Sequence, residues 1–191
     1  MTDSIPLMQR ALGDDWQKLP PALQAHHRSV CTESGSMTIE YPRSMQPYLM
    51  LLRRLGALVD RSGAEVATVV KKSVEGGRRH WRRTMTWADS ESIPFNSFWV
   101  HAGGNQLIEY VNPVLGLQMA VHVEAGRLHY QGVRFVAKLG RLLLPIPEWL
   151  VLGHTRIVEE AVGENRYIMD FRLEHPLFGQ VFRYAGEFVS E

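Results

Sequence analysis

The chain has 191 residues, 45% hydrophobic and 21% charged, with 21 Lys+Arg against 20 Asp+Glu and a formal charge of +1. These values exclude a disordered tail, a collagen-like fibre and a disulfide-stapled miniprotein, and the charge balance gives no global field of the kind a dedicated nucleic-acid binder carries. A chain of this length buries about 70% of its extended surface, so residues 1–191 are read as one domain with one core.

In chain order, Leu7–Leu12 predicts a short helix ending at Gly13, and Pro21–His27 a second, since proline suits a first helical turn. Residues 1–35 are thus read as a helical segment. Residues 36–62 are read as a strand at Met37–Tyr41 followed by an amphipathic helix from Met45 to about Val59. Tyr48, Leu49, Leu51, Leu52, Leu55, Leu58 and Val59 fill one half of that helix, with Arg53 and Arg54 opposite. After Gly63 the apolar period changes to two. Hairpin signals at Glu75-Gly76-Gly77, Ala102-Gly103-Gly104, Ala125-Gly126 and Gly163-Glu164-Asn165 divide residues 63–191 into nine antiparallel strands. Twist curls so many strands into a strongly curved sheet or open barrel, mainly β, with the amphipathic helix in or across its concave face.

The single cysteine, Cys31, excludes an internal disulfide, and no cation adjoins it in sequence to favour a thiolate. The first residues lack the basic-then-apolar pattern of a secretory signal, and no apolar run approaches the ~20 residues of a membrane span. The expectation is a cytoplasmic protein of bacterial type.

Several segments together resemble an uncharacterised bacterial family known as domain of unknown function 4166. They are Leu12-Gly-Asp-Asp-Trp-Gln-Lys-Leu-Pro-Pro-Ala-Leu23, Trp81-Arg82-Arg83, Leu144-Pro-Ile-Pro-Glu-Trp-Leu150, and His175-Pro-Leu-Phe-Gly-Gln-Val-Phe-Arg-Tyr-Ala-Gly186. The resemblance spans nearly the whole chain and implies no established activity or catalytic residue. It also implies occurrence behind nucleotide-binding reductase domains, hence a possible reductase partner.

Arg83 shares strand parity with Trp81, Met85 and Trp87, which places a guanidinium in an apolar row. It needs a partner there, and Glu109 and Glu159 are the candidates. It is either a structural ion pair or the anchor for an acidic head group. Trp81, Arg83, Met85, Trp87, Glu109, Glu159 and Tyr167 are therefore the candidate ligand-binding residues. Lys71, Lys72, Arg78, Arg79, Arg82 and Arg83 crowd one hairpin against the single acid Glu75. The plain reading is a solvated face, with no motif specific for nucleic acid. Leu139–Leu152 carries Leu142, Leu144, Ile146 and Trp149 around Pro145 and Pro147. The prolines argue for a loop or one short helix that folds onto the core, covers the cup, joins a second copy or touches a membrane surface.

Of the eight histidines, His26 and His27 are adjacent and the rest are scattered; His122 and His129 have outward parity. No metal-ligand spacing, nucleophile elbow or phosphate loop appears, so no catalytic residue, metal ligand or cofactor is assigned. The expected function is non-enzymatic binding of an apolar or amphiphilic small molecule. The alternatives are an interaction module, acting on a reductase or a homodimer partner, and an enzyme of unrecognised type.

Overall fold

The computed structural model describes residues 5–28 and 30–190. Three short helices, α1 (Leu7–Leu12), α2 (Pro21–Arg28) and α3 (Gln46–Arg54), accompany eleven strands. These are β1 (Thr32–Glu40), β2 (Gly63–Glu75), β3 (Arg78–Thr86), β4 (Ser92–Gly103), β5 (Gln106–Tyr110), β6 (Leu115–Glu124), β7 (Arg127–Leu139), β8 (Leu142–Ile146), β9 (His154–Ala161), β10 (Arg166–His175) and β11 (Gly179–Ser190). Every pairing is antiparallel, in the order β6-β5-β4-β3-β2-β1-β11-β10-β9-β7. β6 also pairs with β7, so ten strands close into a barrel and β8 hangs on β7 as an extra edge. Closure removes the unpaired edges that a nine-strand open sheet would expose.

Opposed residues in an antiparallel pair share a face, and the register places the polar interior. Lys72 lies opposite Trp81, Val70 opposite Arg83, and Trp99 opposite both Arg79 and Glu109. Leu128 lies opposite Glu159, and Glu159 opposite Met169. β1 and β11 cross with glycines at the contact. A Cβ on Gly35 would strike the Glu187 carbonyl, and one on Gly186 the Ser36 carbonyl.

The two mouths are covered differently. Turns 75–78, 103–106, 124–127 and 162–165 ring the first, where α1 packs against β4 and β6 and α2 against β9 and β10. α3 lies at the second. Its Leu49 and Leu52 are buried, the Tyr48 hydroxyl donates to the Val151 carbonyl at 3.4 Å, and Asn112 donates to the Leu55 carbonyl at 2.6 Å.

Four local expectations change. The amphipathic helix stops at Arg54 rather than near Val59. Gly56 takes a left-handed φ of 71°, and the amides of Gly56 and Ala57 return to the carbonyls of Arg53 and Leu52. This paired C-terminal capping leaves Leu58 and Val59 on the following turn, both still buried. The early strand begins at Thr32, before Met37. Ten strands rather than nine follow Gly63, because Leu142–Ile146 is a strand despite Pro145. An edge strand bonds on one side only, so the missing proline amide costs no ladder bond. Residues Glu148–Leu150 then form one 3-10 turn. Finally, the basic hairpin is not a uniformly solvated face. Lys71, Arg78 and Arg82 are exposed, whereas Lys72, Arg79 and Arg83 are buried. No helix among the described residues is long and apolar enough to cross a membrane.

Candidate functional site

The barrel interior is charged where α2 enters it. The last turn of α2 carries His26 and His27, whose backbone carbonyls face the strands. Lys72 Nζ donates to the His26 carbonyl at 2.8 Å; Arg79 donates to the His27 carbonyl at 2.5 Å and to the His26 carbonyl at 3.2 Å. Cations at a helix C-terminus satisfy the carbonyls that the helix leaves unbonded and oppose its negative dipole end. This pins α2 in the mouth and directs both imidazoles inward, where each is at most 2% exposed.

Two carboxylates receive them. Glu33, on β1, is fully buried and accepts from Lys72 Nζ, from the Tyr167 hydroxyl at 2.8 Å and from the Ser190 hydroxyl at 2.9 Å; His26 Nδ1 lies 2.8 Å away. Glu159, on β9, faces His27 Nε2 at 2.7 Å and accepts from the Tyr130 hydroxyl at 3.1 Å. Burial pushes the Glu33 carboxyl up, but His26 and Lys72 outweigh it and hold the group well below the usual carboxylate range. For Glu159, burial is likewise outweighed by His27 and His26. Burial pulls the His27 imidazole down to about 4 against the attraction of Glu159. Burial also pulls Lys72 down to about 8 against Glu33, and raises the Tyr130 and Tyr167 phenols well above 10. Cys31 sits beside this cluster. Lys72 and Arg79 do act on it, contrary to the expectation of no nearby cation, yet burial prevails and the thiol pKa is raised.

Deeper in the barrel, Arg83 donates to the Ser97 hydroxyl at 2.9 Å and to Glu109 Oε1 at 3.3 Å, and Ser97 donates to the same oxygen at 2.6 Å. The guanidinium carbon stands 5.3 Å from the ring centroids of both Trp81 and Phe95. Of the two partners considered from parity, Glu109 takes Arg83, while Glu159 pairs with His27.

This pair stands between two cavities. One, of about 30 Å³, is lined by Trp81, Arg83, Glu109, Glu159 and Tyr167 together with His26, Trp99 and Tyr130. The indole N–H groups of Trp81 and Trp99 are buried beside it with no acceptor among the described residues. The other, of about 100 Å³, lies under α3, walled by Leu52, Leu58, Phe95, Leu117, Phe135 and Phe171, among others, with Glu109 its one charged lining residue. Glu109 borders both. Met85 and Trp87 are buried but line neither; the Trp87 indole donates to the Ser62 carbonyl at 3.0 Å.

The remaining candidates lie on the outside. Leu142, Leu144 and Trp149 are exposed and Ile146 is half-buried; Met50, Leu51, Leu55, Leu177 and Phe178 are exposed near the same mouth. His122 and His129 stack on the outer wall at 5.0 Å between centroids, in line with their outward parity.

The residues missed from sequence are His26, His27, Glu33, Lys72, Arg79 and Tyr130. Lys72 shares parity with Val66, Thr68 and Val70, and Arg79 with Trp81 and Arg83, so parity carried a signal for these two. Nothing local signals that His27 meets Glu159, 132 residues away.

Fold and site together define a closed antiparallel β-barrel with a helix-plugged, charged interior and an apolar cavity beneath its second helical cover. Residues 19–188 match the family model described as Domain of unknown function (DUF4166), and the chain belongs to that family. Comparison with curated proteins returns no match.

Proposed function

We propose that the barrel binds a small apolar or amphiphilic molecule, without catalysing its conversion, in the cavity beneath α3. The observation that carries this reading is the apolar wall of that cavity with a single carboxyl side chain, Glu109, among its lining residues. Ligand sites are typically apolar recesses with a few orienting polar groups. Because Glu109 borders the cavity and Arg83 stands behind it, a head group that donates a hydrogen bond suits the floor better than the acid expected from Arg83 alone. At about 100 Å³ the space is smaller than the ~150 Å³ engineered cavity that holds benzene, so it suits four or five heavy atoms with α3 in place. A longer ligand requires displacement of α3, which buries only Leu49 and Leu52.

Native mass spectrometry of gently purified protein, and titration with xenon and with cyclobutanol followed by NMR, test this. Expected are shifts of the Leu52, Leu117 and Phe171 resonances, abolished by Leu152→Trp, with cyclobutanol but not xenon weakened by Glu109→Gln. No co-purified species and no shift with either probe would overturn the reading.

A second reading is favoured by the exposed leucines of β8 and by Trp149: this mouth meets a partner, either a reductase domain or a second copy. Sedimentation of the wild type against Trp149→Asp separates the two readings. A concentration-dependent dimer lost in the variant, or reductase capture lost in it, supports the contact; an unchanged monomer without capture rejects it.

A further inference from the structure

We propose that His26, His27 and Glu159 form a binding site for one divalent transition-metal ion of the zinc class, with a water or hydroxide as the fourth ligand in the adjoining 30 Å³ cavity. Ligand atoms of the three side chains lie within 4.8 Å of one another, and all three residues are buried. His27 Nε2 stands 2.7 Å from Glu159 Oε2, and His26 Nε2 stands 3.7 Å from Glu159 Oε1. A tetrahedral ion with bonds of about 2.0–2.1 Å separates its ligands by about 3.3 Å, a value between the two observed. To admit the ion the first pair opens by about 0.6 Å and the second closes by about 0.4 Å.

The outer contacts suit the same role. A ligating histidine ordinarily passes its other ring N–H to a carboxylate, which fixes the tautomer. His26 Nδ1 stands 2.8 Å from both Glu33 Oε1 and Lys72 Nζ; when it donates to Glu33, which Lys72 and Tyr167 also hold, Nε2 is left toward Glu159. Two histidines and one carboxylate are the protein share of an open zinc or non-haem iron site, in which the remaining position belongs to a small exogenous ligand. The cavity provides for one. His26 and Glu159 line it, and two buried indole N–H donors beside it, from Trp81 and Trp99, lack an acceptor among the described residues.

The test uses the whole chain, stripped with chelator and titrated with Zn2+ and Co2+. Expected are one ion per chain by elemental analysis, the strong visible bands of four-coordinate Co2+, and a thermal midpoint raised by roughly 5–10 °C at a hundredfold excess of Zn2+ over Kd. Glu159→Gln and His27→Gln should each weaken binding at least tenfold. His122→Gln should leave it unchanged, since His122, Glu124 and His129 form a second, more exposed group on the outer wall. Failure to bind at micromolar Zn2+, full retention in Glu159→Gln, or loss in His122→Gln would overturn the proposal. Should the interior variants not fold, X-ray absorption of the zinc-loaded wild type decides. Two imidazoles with oxygen neighbours, unchanged in His122→Gln, support the site; any other shell, or one altered in His122→Gln, rejects it.

Discussion

The two mouths of this barrel are closed by helices of similar length but by opposite chemistry. At the first, α2 brings two histidines and two carbonyl groups into a network with Glu33, Lys72, Arg79, Tyr130, Glu159 and Tyr167. At the second, α3 contributes Leu49 and Leu52 to the core and leaves Met50, Leu51 and Leu55 exposed. A hydrogen-bonded, charge-paired closure tolerates one geometry, because a misplaced buried charge is costly. An apolar closure is non-directional and allows displacement at moderate cost. The first mouth is thus suited to holding a fixed constellation, and the second to admitting or meeting something apolar.

The largest test of this contrast is Lys72→Ala, which leaves Glu33 buried beside His26 without its ammonium partner. A loss of about 3–5 kcal/mol in urea denaturation is expected. A loss below 1 kcal/mol would show that the polar plug is not tightly determined. Tyr130→Phe keeps the ring and removes one donor to an ionised carboxylate, so about 1.5–3 kcal/mol is expected in the same measurement.

A third variant separates burial from charge. Asp170, on the outer wall, bonds Arg172 and Arg183 at 2.6–3.1 Å. Partial burial pushes its carboxyl up, but the two arginines prevail and hold it below its ordinary value of 3.8. Its stabilisation is therefore present above about pH 4 and is lost as pH falls through the lower folded-state value. Asp170→Asn should cost at most about 1 kcal/mol at pH 7, and the gap to wild type should narrow as pH falls below about 4. The smallest expected effect is at the second mouth. Leu51→Glu, on an exposed position of α3, should change stability by no more than about 0.5 kcal/mol. A larger loss by the same denaturation measurement would show that α3 is held as firmly as α2.

Much of the wall was readable from period two. The inward row Trp81–Arg83–Met85 and the need of Arg83 for Glu109 or Glu159 follow from alternation, because a strand sends every second side chain to the same face, whereas only the barrel's register selects Glu109. The same rule applies to Lys72 and Arg79, yet residue type argued against it, since basic residues in a hairpin are ordinarily solvated. They are inside because α2 supplies carbonyl acceptors and β1 a carboxylate there, neither of which is local to the hairpin. β8 was masked by Pro145, whose effect depends on whether its strand bonds on one side or two. The apolar stripe overstates the helix of residues 46–54, because Leu58 and Val59 continue it after Gly56 has turned the chain.

The amino-acid sequence by itself determined the short helices, the run of antiparallel strands and the inward face of most of them, for these depend on local propensity and on periods of 3.6 and two residues. Tertiary structure alone decided that β6 meets β7 to close the barrel, and that the adjacent His26 and His27 converge on Glu159. It also decided that Glu109 stands between a polar and an apolar cavity. Those outcomes depend on which distant elements become neighbours, and neighbours are chosen by closure and packing of the whole sheet rather than by any segment of it.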